Sequence, residues 1–141
     1  MNTQILLPKE FIFYEKLLQL ISDDFYIQKS KDKYCPIDFI LINKSNLQTM
    51  YIEHKFRNVD DIYDTLMIGE TKIKNIIKQY NNVYLVWEFN NDVFYVRKVD
   101  KNFKKYTIEN VRNSTVYMVS KSECEKYTLD DMVKFIKYSG W

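Results

Sequence analysis

The chain has 141 residues, a formal net charge of +2 and 46% apolar content. That is enough for one folded domain and too apolar for a disordered segment. No run approaches the roughly 18 apolar residues of a membrane-spanning helix, and the N-terminus lacks the basic-then-apolar layout of a secretory signal, so a cytoplasmic setting is expected.

Cys35 and Cys124 stand far from each other and from any CxxC partner, which argues for reduced thiols and against a zinc site or disulfide scaffold. Alanine is absent while Ile, Asn, Lys and Tyr abound, as in coding from an AT-rich genome such as that of a phage, a virus or a low-GC bacterium. In the phage or viral case the setting is the host cytoplasm. With so small a net charge, any nucleic-acid surface must be local.

Residues 8–22 read as a helix with Phe11, Tyr14, Leu17, Leu18 and Ile21 on one apolar face, and Glu15 beside that face. Residues 25–28 read as a strand, followed by the basic loop KSKDK. Residues 36–42 and 50–52, with their flanks, read as two apolar strands joined by the Asn43-Lys44-Ser45-Asn46 turn. A near-continuous apolar strand is expected to be buried on both faces. Residues 62–80 read mainly as helix, with Gly69 as an interruption. A hairpin follows, 83–89 with 93–99 around Asn90-Asn91-Asp92. Residues 114–120 read as a strand, and Thr128 is placed to cap a last helix over 129–138.

The 36–55 hairpin carries the chemistry. With Ser45 and Asn46 at its tip, counting outward pairs Asp38 with Glu53, on one face of the sheet. Lys55 and Arg57 continue the parity of Glu53, whereas Ile37, Phe39 and Leu41 take the opposite face from Asp38. His54 also points away from Glu53. Two apposed carboxylates repel, and a divalent ion that favours oxygen ligands, Mg²⁺ or Mn²⁺, relieves the repulsion. A neighbouring lysine can orient water or stabilise charge developing on a phosphate. The competing reading is a partly buried ion pair between Lys55 and one acid. The superficially similar Glu70-Thr71-Lys72, downstream of Asp60, Asp61 and Asp64, lacks a strand pair to bring acids together.

These residues, Pro36-Ile37-Asp38 and Glu53-His54-Lys55, resemble the motif of the PD-(D/E)xK nuclease superfamily, the restriction-endonuclease-like and Holliday junction resolvase-like proteins. The proline precedes Asp38 by two positions rather than one. The resemblance spans roughly the first 90 residues. It implies an α/β fold with a restriction-endonuclease-like αβββαβ core and a mixed central sheet flanked by helices. One nuclease-like domain over 1–141 is expected, with its core at 8–90 and additional strands and a C-terminal helix over 91–141.

In this family Asp38 and Glu53 would hold Mg²⁺ or Mn²⁺, with a backbone carbonyl near His54 as third ligand, and Lys55 would position the attacking water. A helix-borne glutamate often stands close to the metal, and Glu15 matches that role better than Glu10. The helix after the E-x-K strand borders the cleft, making Lys72 a candidate for phosphate contact. Lys101, Lys104 and Lys105, interleaved with Phe103 and Tyr106, suit phosphate contact with base stacking, or else guard an edge strand.

The expected activity is metal-dependent hydrolysis of nucleic-acid phosphodiesters by a DNA endonuclease, with linear or branched DNA as partner. Two rivals remain: a non-catalytic nucleic-acid- or protein-binding module on the same fold, such as a viral inhibitor, and a Holliday junction resolvase. A duplex cutter needs two sites, so a homodimer is expected, with Phe94, Phe103, Tyr106, Tyr138 and Trp141 as apolar surface for it to cover.

Overall fold

The structure, a computed structural model, describes residues 9–30, 35, 37–57, 65–100, 103, 108–111 and 114–139. Helix α1 (Lys9–Ile21) leads into β1 (Phe25–Lys29), β2 (Phe39–Asn43) and β3 (Thr49–Arg57). Then come β4 (Thr65–Gly69), α2 (Glu70–Gln79) and the hairpin of β5 (Val83–Phe89) and β6 (Val93–Lys98). Strands β7 (Ile108–Val111), β8 (Ser114–Ser120) and β9 (Glu125–Tyr127) precede α3 (Leu129–Tyr138).

Six strands form the central sheet in the order β1-β2-β3-β5-β6-β9. Every neighbouring pair is antiparallel except β3 and β5, whose parallel pairing requires a crossover, which includes α2. Both faces of this sheet are covered. On one, Phe13, Leu17 and Ile21 of α1 and Met132 and Ile136 of α3 pack over Phe39, Leu41, Met50, Ile52, Val86, Phe94 and Val96. On the other, Ile73 and Ile76 of α2 join Leu66, Ile68, Tyr117 and Val119 over Leu85, Trp87, Phe89 and Tyr95. This double cover is why β5 reads as the run VYLVWEF, apolar but for Glu88. Asn82, at φ 59°, turns the chain into β5 and donates from Nδ2 to the Thr49 carbonyl at 2.8 Å, which seats β5 against β3. The expected cap of α3 is present as a reciprocal pair: Thr128 Oγ1 accepts from the Asp131 N–H while Asp131 Oδ2 accepts from that of Thr128.

Three expectations need correction. Of the segment read as one helix over 62–80, the described part from Thr65 on is a strand followed by a helix. Thr65–Gly69 pairs antiparallel with β8 in a second, three-stranded sheet ordered β4-β8-β7. Leu66 and Ile68 alternate inward with period two, and α2 starts only at Glu70. Second, Ile37 packs with Leu85 and Trp87 rather than with Phe39 and Leu41, because the regular strand begins only at Phe39. Third, β2 is fully buried on one face only: Ile40 and Ile42 are half-buried.

Two of the aromatics expected on a dimer surface, Phe94 and Phe103, are core residues at 3% and 0% exposure. Tyr138 is exposed, whereas Tyr106 and Trp141 lie outside the described residues. Among the described residues no helix is long and apolar enough to cross a membrane.

Besides their packing, the two sheets are joined at the Met67 carbonyl. Trp87 Nε1 donates to Met67 O at 3.0 Å, and Arg57 Nη2 approaches the same oxygen at 3.4 Å.

Candidate active site

The hairpin register is Phe39 opposite Ile52, Leu41 opposite Met50 and Ile42 opposite Thr49. One step outward lies Asp38 against Glu53. The loop spans four residues rather than two, with Asn43 N donating to Gln48 O at 2.9 Å and Leu47 at φ 59°, but the register is unchanged. Regular pairing stops at Phe39. Asp38 N donates to Ile52 O at 2.9 Å, and Asp38 O accepts from Ser30 N at 2.8 Å. Its carboxylate then takes the place of a backbone partner: Asp38 Oδ2 accepts the His54 N–H at 2.7 Å. Asp38 is thus fixed through its amide, its carbonyl and its side chain together.

Glu53 follows from the neighbouring strand and is 3% exposed. Burial, then hydrogen-bonding contact with Glu53 and repulsion by it, push the Asp38 carboxyl up from 3.8 to about 7. On the Glu53 side, Lys72 Nζ at the start of α2 comes within 2.9 Å of Oε2. The approach is not aligned as a hydrogen bond, and Glu53 Oε2 is a buried oxygen with no hydrogen-bond donor. A buried anionic oxygen is costly without a cation beside it, and among the described residues the Lys72 ammonium is the one within ion-pair distance of Glu53 Oε2.

Lys55, two residues along the same face, is half-buried. Burial, followed by repulsion from Lys72 and Arg57, holds its pKa below the usual lysine range, against the pull of Glu53 and Asp38. The opposite face of β3 carries His54, whose ring stacks on Phe13 at 4.5 Å and whose Nε2 lies 2.8 Å from Glu88 Oε1. His54 is therefore a packed, partnered residue of the helical side, and what it offers the site is its backbone.

Neither protein-family models nor curated sequences match this chain. Solved structures do. The Holliday junction resolvase Hjc of Archaeoglobus fulgidus superposes with a TM-score of 0.57 at 14% identity, over 89% of this chain and 96% of that one. A nuclease from a fusselovirus superposes with a TM-score of 0.58 at 15% identity, over 92% of this chain and 94% of that one. The chain has the restriction-endonuclease-like fold.

Within the restriction-endonuclease-like fold, the structure brings together Asp38, Glu53, Lys55, Arg57 and Lys72, all singled out from the sequence. The helix glutamate is different. Glu10, not Glu15, stands beside Asp38: burial and then Asp38 itself raise the Glu10 carboxyl above its usual range, with Lys29 at 3.8 Å opposing. Glu15 is five residues on, about 140° round the helix, so it does not share that face. Which glutamate turns inward depends on how α1 crosses the sheet, and the helical period alone does not set that. Lys101, Lys104 and Lys105 lie outside the described residues. Glu70, of the similar-looking Glu70-Thr71-Lys72, pairs with Lys74 one helical turn on. Sequence reasoning missed Glu88 as the partner of His54; its signal was an acid inside the otherwise apolar β5.

The donor set fits a hard divalent ion. Two carboxylates from adjacent strands supply oxygen, one of those oxygens has no aligned hydrogen-bond donor, and Lys72 already holds a cation against it. Among the described residues no group of three or more His, Cys, Asp or Glu side chains is arranged to cage an ion. Mg²⁺ needs no such cage, since it is commonly held by one or two carboxylates and keeps several waters.

Proposed function

We propose that this protein is a metal-dependent nuclease that hydrolyses DNA phosphodiester bonds as an endonuclease. The observation that carries the reading is the apposed Asp38–Glu53 acid pair, with Glu53 buried, its Oε2 without an aligned hydrogen-bond donor, and Lys55 on the same face. Asp38, Glu53 and a backbone carbonyl near His54 would hold Mg²⁺ or Mn²⁺, which when bound supplies Lewis-acid charge to the phosphate and lowers the pKa of a water. The remaining work falls to the chain. The His54 N–H keeps Asp38 Oδ2 aimed, Lys55 Nζ orients the attacking water and stabilises charge on the phosphate, and Glu10 takes the supporting place first expected of Glu15. Arg57, Lys72, Lys101, Lys104 and Lys105 are the candidates for gripping backbone phosphates.

A junction-resolving activity is the second reading, favoured by the superposition on an archaeal junction resolvase over nearly its whole length. It shares the chemistry and differs in substrate shape. Labelled linear, nicked, branched and single-stranded DNA, incubated with Mg²⁺ or Mn²⁺, separates the two. Selective cutting of the branched form establishes a resolvase, and cutting of linear duplex an ordinary endonuclease. Salt-dependent binding without cutting of any form overturns the enzyme reading in favour of a binding module.

A further inference from the structure

The metal reading leaves one contact without a purpose. Lys72 sits in the first turn of α2, the end of a helix at which a cation is disfavoured by the helix dipole. Lys78 in the last turn has the favourable placement. Lys72 nevertheless reaches Glu53 Oε2 at 2.9 Å, while its own side chain stays 37% exposed against 3% for Glu53. A long, half-exposed side chain lying on a buried carboxylate can leave by rotating its stem into solvent, whereas Glu53 cannot follow.

The local charges point the same way. Lys55 and Arg57 share the face of β3 that carries Glu53, and Lys72 meets Glu53 from α2, so the site already holds three cationic side chains. Two further positive charges on the acid pair would crowd the site unless a cation withdrew. Lys55 and Arg57 are held on β3, Arg57 with its guanidinium against Met67 O. Lys72 has the freest path out.

We infer that Lys72 is a displaceable counter-ion: its ammonium occupies the divalent-ion position on Glu53 in the metal-free protein, is expelled when the ion binds, and is then free to meet the anionic phosphate of the DNA. This rests on the metal part of the proposed function.

The test is Mn²⁺ binding to the DNA-free protein by calorimetry, for the parent, Lys72→Gln, Lys72→Arg and, as a control on the same helix, Lys74→Gln. Removing a competing cation should tighten Mn²⁺ by about fivefold or more. Lys72→Arg and Lys74→Gln should bind Mn²⁺ like the parent. A second readout is thermal. Lys72→Gln should melt below the parent without metal, because Glu53 loses its only cation at ion-pair distance among the described residues. It should gain more than the parent on adding Mn²⁺. Should Lys72→Gln fold poorly, Lys72→Met, which keeps the stem packing, carries the same comparison. Mn²⁺ binding that is equal or weaker in the Gln or Met variant overturns this inference and leaves the metal site standing. A parent that binds no Mn²⁺ overturns both. Parent binding with no cleavage leaves the displacement intact and removes the nuclease.

Discussion

His54 presents its two halves to opposite sides of the central sheet: its backbone N–H goes to Asp38 Oδ2 at 2.7 Å, and its ring to Glu88 Oε1 at 2.8 Å. One residue thereby couples the acid pair to the α1 side of the core. His54→Ala should keep the N–H donor but leave Glu88 partly buried without its partner and remove the ring stacked on Phe13. A loss of about 2–4 kcal/mol is expected, most of it from the cavity and the abandoned acid. Urea unfolding at pH 7 measures it, and His54→Gln, which retains a donor, should recover part. A loss under about 0.5 kcal/mol would mean that the pair contributes nothing to the fold.

Metal binding should stabilise the folded state, because only there are Asp38 and Glu53 together. Millimolar Mn²⁺ is expected to raise Tm, and Asp38→Asn to abolish the rise. An unchanged melting curve at saturating Mn²⁺ counts against a preformed site.

In the absence of metal the same acid makes stability depend on pH in an unusual direction. The Asp38 carboxyl is raised from 3.8 to about 7, so the folded protein holds this proton more tightly than the unfolded chain does. The contribution is full below the unfolded value and is lost as pH rises through the folded one, at up to about 1.4 kcal/mol per pH unit between them. Metal-free parent protein should therefore lose Tm relative to Asp38→Asn as pH rises from 5 to 8. Parallel Tm profiles for the two proteins refute the shift.

Lys55→Ala removes a cation from the scissile phosphate while sparing both carboxylates. A fall of about 10²–10³ in turnover is expected, with little change in DNA affinity. The triple replacement of Lys101, Lys104 and Lys105 should do the reverse, weakening binding and flattening its salt slope. Glu70→Ala, which loses only its pairing with Lys74, should leave the chemistry alone. Equal rates for parent and Lys55→Ala would dismiss the assigned motif.

Cutting both strands of a duplex takes two sites, so a homodimer is expected in solution. With Phe94 and Phe103 inside the core, the described apolar surface available to it is led by Tyr138, 78% exposed. Light scattering at tens of micromolar, with and without DNA, decides; a monomer in both conditions removes the dimer.

The acids were legible in the sequence because a hairpin turn fixes its own register: once the tip is placed near Ser45, Asp38 must meet Glu53. The final helix was legible because its cap is local, Thr128 with Asp131. Strand β4 was not. Its five residues sit where Ile62, Leu66 and Ile73 also suit a helical stripe, and what makes them a strand is β8, some 50 residues away, with Thr65 opposite Ser120. Ile37 was assigned to the wrong face for a related reason. Alternation holds only inside a strand, and here the strand starts two residues later.

The Met67 carbonyl bears on how this protein tolerates mutation. Trp87 and Arg57 both address it, and it lies three positions before the start of α2. A backbone acceptor survives any replacement of the side chain that bears it, so position 67 is free to drift while 57 and 87 are not. Trp87→Phe is a change within the core that leaves every charged residue in place. It would nonetheless loosen the anchor from which α2 departs, and with it the reach of Lys72 to Glu53. Variation that alters this cleft without touching it should therefore gather at the donors of that bond, well away from the acids themselves.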